Sequence, residues 1–434
     1  MHPKALLDAS AELVRLALTF EHPADSVVSR FFRDQRKTHA FGPRERATLA
    51  ETLYNVLRFK LRYEHMAPSG SGPRERRLAI LGMADHLRAG APADAQALGF
   101  LQAALTDKER AWLDACLALR LPDLLERHRH NLPDWLIAPL QAQVGEAFWP
   151  LVESLHRSAP LDLRVNTWTD KRADVQQELS LAGIAAEPTP YSPWGLRVQG
   201  KPALTRLDAF ARGALEVQDE GSQLLALLLD AHRGEMVVDF CAGAGGKTLA
   251  LGAAMRNTGR LYAWDTSAHR LDALKPRLAR SKLSNVHPSA IADERDERIK
   301  RLRGKIDRVL VDAPCSGLGT LRRNPDLKWR QSPQSVQELT QKQAQILASA
   351  ARLLKPGGRL VYATCSVLPQ ENEDIAEAFT QAHPQFEPLS VAEVLQGLKV
   401  PQAEQLCSAD GRFLRLWPHR HATDGFFAAA WVAK

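Results

Sequence analysis

The stretch Val237-Val238-Asp239-Phe240-Cys241-Ala242-Gly243-Ala244-Gly245-Gly246-Lys247-Thr248 reads as a strand, a glycine-rich turn and the start of a helix. Glycines at such a turn let the backbone approach a ligand closely, and the helix N-terminus offers unpaired N–H groups. Beyond it, apolar runs at Leu261–Trp264, Ile306–Val311 and Leu360–Ala363 alternate with helical segments. In one of these segments Leu339, Ile346, Leu347, Ala350, Leu353 and Leu354 form a periodic face, and the helix is expected to stop at Lys355-Pro356-Gly357-Gly358. The alternation predicts an α/β domain over 216–434 with a doubly wound, mostly parallel sheet. Arg412–Leu416 and Phe426–Val432 predict a terminal hairpin added to that sheet.

Upstream the character differs. Leu161–Asn166 alternates, Asp170–Ala182 is helix-like, and Leu196–Val198 and Ala214–Val217 are short strand candidates, so 146–215 reads as a small α+β connector. Residues 1–145 read as all helical, with Leu7, Ala11, Val14 and Leu18 on one face and Leu49, Leu53, Val56 and Leu57 on another. Gly42-Pro43 and Pro68–Pro73 are the breaks.

The 434 residues suit two or three domains, and 45% hydrophobic with 25% charged is ordinary globular composition. No apolar run approaches the ~18 residues of a membrane span. Met1–Leu18 carries Lys4, Asp8, Glu12 and Arg15 among its apolar positions, which suits an amphipathic helix and excludes a signal-peptide core. Five cysteines without a CxxC pair exclude a disulfide framework and a zinc ribbon, so no metal and a reducing, cytoplasmic setting are expected. The net charge of +7 is concentrated: Arg30–Arg77 holds 12 Lys+Arg against 5 Asp+Glu, and Arg270–Arg330 holds 16 against 8. Two basic stretches suggest a polyanion partner, while either one alone reads equally as a solvated helix face.

The glycine spacing is G-x-G-G and lacks the last glycine of G-x-G-x-x-G, which argues against a nicotinamide dinucleotide. Asp239, four residues before Gly243, suits a ligand bearing an ammonium group, as the methionine part of S-adenosylmethionine does. Asp265 ends the second strand, 19 residues past Gly246, where a carboxylate accepts from ribose hydroxyls. Its alternative is a helix N-cap before Thr266–Leu274. Asp293, near the end of the third strand, is placed for the adenine amino group.

Asp312-Ala313-Pro314-Cys315-Ser316-Gly317 and Thr364-Cys365-Ser366 each follow directly on a strand. The carboxyl ends of parallel strands open onto the ligand crevice, so two cysteines would sit beside the cofactor loop. The alternative is that both are small core residues. A thiol beside a methyl donor has a clear use. Carbon 5 of a pyrimidine is a poor nucleophile, and a thiolate adding at carbon 6 turns the ring into an enamine that attacks a sulfonium methyl. An acid must then neutralise charge at ring N3, a contact Asp312 is placed to make, and a base must remove the carbon-5 proton. Lys247 and Lys328 are candidates to assist the base or a phosphate and to favour the thiolate. Asp312-Ala-Pro-Cys does not fit the Asn/Asp-Pro-Pro-aromatic turn of adenine amino methylation.

The sequence resembles the Sun-type RNA 5-methylcytosine methyltransferases, and among them the RsmB type that acts on small-subunit (16S) ribosomal RNA. The matching stretches are CAGAGGKT (241–248), VDAPCSGLGTLRRNPDLKW (311–329), LVYATCSVLPQENED (360–374), LRVNT (163–167), VQDEGSQ (217–223) and PHRHATDGFF (418–427). The resemblance implies a Rossmann-like S-adenosylmethionine-dependent fold, with Cys365 as nucleophile and Cys315 assisting release of methylated RNA. It maps cofactor contacts onto Cys241, Ala242, Gly243, Ala244, Gly245, Gly246, Lys247, Asp265, Asp293 and Asp312. The family's loop usually reads C-A-A-P-G-G-K, whereas Gly243 and Ala244 stand here in place of Ala-Pro, and Asp293 lacks the usual neighbouring glycine. DNA cytosine methyltransferases use the Pro-Cys thiol as nucleophile, and Cys365 argues against that reading. Pro43-Arg44-Glu45-Arg46 with Tyr54-Asn55-Val56-Leu57-Arg58 resembles a NusB-type RNA-binding domain, the alternative being a helical packing or dimerisation domain. The function implied is methylation of carbon 5 of a cytidine in 16S ribosomal RNA. Its alternatives are a transfer-RNA cytidine, or an RNA-binding assembly factor whose methylation is incidental.

Overall fold

Amphipathic repeats in the first third of the chain fold as helices throughout, and the first strand begins at Leu161 among the described residues. A computed structural model describes residues 1–37, 41–89 and 95–434, which divide into two units: Met1–Arg157 with Leu321–Ser332, and Ser158–Thr320 with Pro333–Lys434. No helix among the described residues is long and apolar enough to cross a membrane.

In the helical unit, the helix Pro3–Ala17 buries Leu7 and Val14, and the helix Pro43–Arg58 buries Leu49, Leu53, Val56 and Leu57. A helix leaves its last carbonyls without partners inside the helix. Here Leu57 O accepts from Trp329 Nε1 at 2.7 Å and Arg58 O from Lys328 Nζ at 2.8 Å. Arg58 in turn donates from Nη2 to Arg322 O, and Asp326 accepts from the Ala24 amide. The segment Leu321–Ser332 thus belongs to the helical unit by its hydrogen bonds, although it lies between two parts of the other unit in the chain. Within this unit Lys328 has a structural partner. It is buried as a helix-terminus partner, with its ammonium pKa depressed well below the ordinary value by burial.

The other unit opens with β1 (Leu161–Val165), β2 (Ala186–Pro188), β3 (Gly195–Val198) and β4 (Leu215–Val217), an antiparallel sheet of order β2-β3-β1-β4. With the helices Arg172–Leu181 and Asp208–Ala211 in its crossovers, this is a split β-α-β, ferredoxin-like arrangement. Then come β5 (Met236–Asp239), β6 (Arg260–Asp265), β7 (Val286–Ala290), β8 (Ile306–Asp312), β9 (Leu354–Thr364), β10 (Phe386–Pro388), β11 (Leu414–Leu416) and β12 (Phe426–Ala433). Strands β7, β6, β5, β8 and β9 are parallel in that order, and β12 adds antiparallel to β9. β11 pairs antiparallel with β12, so the expected terminal hairpin is present. The chain starts at β5 and steps outward in both directions, which puts the ligand crevice at the carboxyl ends around β5 and β8.

One boundary differs from expectation. The helix Pro333–Ala351 ends before Lys355-Pro356-Gly357-Gly358, and those four residues lie within β9. They form an irregularity in the β8–β9 ladder, where the pairing passes from Ile306↔Leu354 to Arg308↔Arg359. Gly357, at φ +76°, supplies the left-handed backbone that returns the chain to the ladder.

Candidate active site

The Gly-rich turn after β5 closes on itself before any ligand is considered. Gly245 sits at φ +82° as the N-cap of the helix Gly246–Ala254, and a Cβ there would fall 2.1 Å from a methyl of Leu274. Ala242 N donates to Trp264 O at 2.8 Å, and Gly243 N donates to Asp265 Oδ2 at 2.8 Å. Asp265 Oδ1 accepts from Ser267 N at 2.7 Å, whereas the cap of the next helix, Ala268–Ser281, is Ser267 itself. Asp265 is thus a brace between the first two strand ends, and the N-cap role belongs to its neighbour.

Around this turn is a cavity of about 680 Å³. Cys241, Ala242, Gly243, Ala244, Gly246 and Lys247 line it from the β5 side. Asp265 and Asp293 line it from the ends of β6 and β7, and Asp312, Cys315 and Cys365 from β8 and β9. Gly245 faces Leu274 and serves the turn's conformation. Asp293 Oδ1 accepts from Arg295 N at 2.7 Å within its own turn.

Asp239 does not occupy the position that the ammonium argument gave it. It is 1% exposed and outside the lining, and Oδ2 accepts from Thr248 Oγ1 at 2.7 Å while Oδ1 is buried without a hydrogen bond. Burial pushes its carboxyl up to about 7.

The residues missed in the sequence come mostly from elements flanking the turn. Val217, Gln218 and Ser222, within VQDEGSQ, line the cavity from β4 and the helix that follows it. Buried Glu216 accepts from Arg277 at 2.8 Å and from Arg280 at 2.5 Å, and Arg277 also donates to Ala244 O at 2.5 Å. That chain of bonds ties the cofactor-type turn to the ferredoxin-like sheet.

At the other wall, Cys315 Sγ lies 3.4 Å from Cys365 Sγ. The hydrogen bond with Cys365, together with burial, pushes the Cys315 thiol well above its ordinary range. Lys247 Nζ donates to Asp312 at 2.7 Å. Burial alone would lower the Lys247 pKa, but the Asp312 charge and hydrogen bond override it and leave the ammonium above its ordinary value. Beneath the thiols, Glu371 is fully buried and bonds to the serine that follows each cysteine. A second cavity, of about 610 Å³, shares Glu294 with the first and is lined by Arg295, Lys300, Arg303 and Arg352, which is where part of the second basic stretch lies.

Residues 226–432 match the family model described as 16S rRNA methyltransferase RsmB/F, and residues 132–205 match its RsmF/B-like ferredoxin-like domain. A probable ribosomal RNA small subunit methyltransferase B of Synechocystis sp. is 36% identical over 305 residues, 69% of this chain and 66% of the relative. The ribosomal RNA small subunit methyltransferase B of Yersinia pseudotuberculosis is 33% identical over 317 residues, 72% of this chain and 70% of the relative. The chain belongs to the RsmB/F family. Its match spans just under two thirds of the Synechocystis relative's length. The crystal structure of PH0851 is similar along its length, with a TM-score of 0.78 at 27% identity, covering 100% of this chain and 99% of that one. The eight-stranded sheet is accordingly the Rossmann-like sheet of the RsmB/F methyltransferases, and the sheet β2-β3-β1-β4 lies within or next to the family's ferredoxin-like match.

Two predictions follow from the turn. Gly245→Ala is expected to destabilise this RsmB/F chain by about 1–3 kcal/mol in urea unfolding, because the side chain meets both a left-handed φ and Leu274. Asp239 has a folded pKa of about 7, above its ordinary 3.8, so the folded state holds the proton more tightly and loses stability as pH rises between those values. Asp239→Asn keeps an acceptor for Thr248 and removes that loss. Its stability should exceed wild type by about 2–4 kcal/mol at pH 8, with the gap closing towards pH 4. A gap that does not change with pH would contradict the buried-carboxyl account.

Proposed function

We propose that this chain transfers a methyl group from S-adenosylmethionine to carbon 5 of a cytidine in small-subunit ribosomal RNA, through a covalent bond between Cys365 and carbon 6. The observation that carries this reading is the pair of thiols, 3.4 Å apart, on the same cavity as the glycine turn. The residues present fit the cofactor. The turn brings loop amides and a helix N-terminus to the cavity, and each Asp265 oxygen has one backbone donor and a second lone pair left for ribose hydroxyls. Asp293 is the carboxylate assigned to the adenine amino group, and Cys241 to Lys247 the loop assigned to the rest. S-adenosylmethionine supplies an electrophilic methyl on a sulfonium.

The chain's own residues do the remaining work. The Cys365 thiolate adds to carbon 6, and the displaced electron pair makes carbon 5 the nucleophile that takes the methyl. Lys247, whose charge is maintained by Asp312, lines the same cavity as Cys365. Asp312, hydrogen-bonded to that ammonium, is assigned the contact with ring N3, which takes the proton shared by Lys247 and Asp312 on addition and returns it on release. Loss of the carbon-5 proton to a base then breaks the bond from carbon 6 to sulfur and returns the thiolate. Cys315 is assigned to that release. Two free thiols in one cavity suit a reducing, cytoplasmic setting. The helical part of the chain, including 1–145, and the basic groove beside the cavity are assigned to RNA.

Cys365→Ala is expected to abolish turnover. Cys315→Ala leaves attack intact and stalls release, so a covalent protein–RNA band should accumulate on denaturing gels. Absence of that band with active methyl transfer would remove Cys315 from the release step. Arg303→Ala combined with Arg352→Ala should reduce the slope of log affinity against log salt by about 2, one per lost phosphate contact, with S-adenosylmethionine affinity unchanged. An unchanged slope would remove the groove from the RNA path.

A further inference from the structure

The ladder between β8 and β9 ends where the chemistry begins. Its last bond runs from Ala313 N to Ala363 O at 2.9 Å, and past it the two cysteine loops share a backbone bond at Gly319 N to Cys365 O, 2.8 Å, four residues beyond Cys315. The two thiol-bearing residues need a further fixture at their own positions to stay 3.4 Å apart.

That fixture is one carboxylate. Glu371 Oε1 accepts from Ser316 N at 2.8 Å and from Gln343 Nε2 at 3.0 Å. Its Oε2 accepts from Ser316 Oγ at 2.5 Å and from Ser366 Oγ in a short bond. The two serine hydroxyls are 3.2 Å from each other, and each serine directly follows its cysteine. Glu371 is itself fixed: its carbonyl accepts from Tyr362 Oη at 2.6 Å, and Asn372 next to it accepts from Thr364 Oγ1 and donates to Ser366 O. The carboxylate is fully buried, so four donors replace its lost hydration.

We propose that Glu371 is the positioning residue that holds Cys365 and Cys315 in one geometry for attack and release. This rests on the covalent reading above. The negative charge of Glu371 also opposes ionisation of Cys315, in addition to the hydrogen bond and burial, and so keeps it a thiol beside the attacking sulfur. A glutamine in place of Glu371 keeps its oxygen for Ser316 N and Gln343 and turns its NH₂ to the two hydroxyls, which can rotate to accept. Glu371→Gln therefore preserves packing while weakening both serine bonds. Glu371→Asp retracts the carboxylate by one methylene.

The test compares Glu371→Gln and Glu371→Asp with wild type in two measurements. In the first, free protein without RNA or methyl donor is treated with a diazene oxidant. The two thiols lose two electrons and two protons as the Cys315–Cys365 disulfide forms, and the diazene becomes the hydrazine. Closure should slow about tenfold or more in both variants. In the second, kcat for methyl transfer should fall about 100-fold, with KM for RNA and for S-adenosylmethionine within about twofold. A purely structural role would lower the unfolding midpoint without changing closure in the folded protein. Closure at the wild-type rate in folded Glu371→Gln, or kcat within about twofold of wild type, overturns the proposal. If wild type methylates no RNA, the covalent reading fails, and disulfide closure in the free protein still decides the positioning role.

Discussion

The in-register parallel pairing of β8 with β9 is the constraint on which the rest of the site depends. Asp312 stands opposite Ala363 across that ladder, so the carboxylate, the Pro-Cys loop and the Thr-Cys loop all emerge at one edge of the sheet. The register is fixed because both strands are buried on both faces: Val309, Leu310, Val311, Val361, Tyr362 and Ala363 are all fully buried. A one-residue slip would exchange the faces of an entire strand and move one thiol away from the other. The close approach of Gly319 to Gly425, at the start of β12, shows how tight this end of the sheet is. Its amide donates to Cys365 O at 2.8 Å, and a Cβ there would fall 2.1 Å from Gly425 O. The second cysteine loop is thus pinned from outside the sheet as well as from within it.

The other half of the cavity is held differently. Its glycine turn has few side chains of its own and is shaped by what surrounds it: Leu274 against Gly245, Asp265 on the Gly243 amide, and Arg277 on the Ala244 carbonyl. The last of these passes through buried Glu216 to the ferredoxin-like sheet. This accounts for a loop that departs from the family's usual Ala-Pro and still keeps a defined form. Neighbouring side chains hold the turn, and Gly243 and Gly245 supply the left-handed backbone it needs.

Much of this was legible in the sequence because it is local. Strand runs such as Ile306–Val311, the glycine turn and the two cysteine loops depend on residues within a few positions of each other, and all appear where the pattern placed them. What the pattern hid depends on partners far along the chain. Lys328 looked like an active-site cation because its segment follows Cys315, yet its amine is taken by the carbonyl of Arg58, 270 residues away. Asp239 looked like a ligand contact because of its spacing, but it turns into the core towards Thr248. Lys355-Pro356-Gly357-Gly358 carries a helix-stop signature, and the helix had already ended at Ala351, leaving those residues to shape a strand irregularity. Glu371 lies in the matching stretch 360–374, but nothing there sets it apart from Glu373 and Asp374, since only the fold brings Ser316, Ser366 and Gln343 around it.

The account stands or falls on where the methyl group goes. Unmodified small-subunit ribosomal RNA, incubated with the protein and S-adenosylmethionine and then digested for nucleoside mass spectrometry, answers that directly. The account predicts 5-methylcytidine. A methyl group found on a cytidine amino nitrogen, on a ribose or on a purine would contradict it, because none of those products needs a thiol at carbon 6. No methyl transfer to this RNA with transfer to transfer RNA would contradict the ribosomal assignment and leave the chemistry in place.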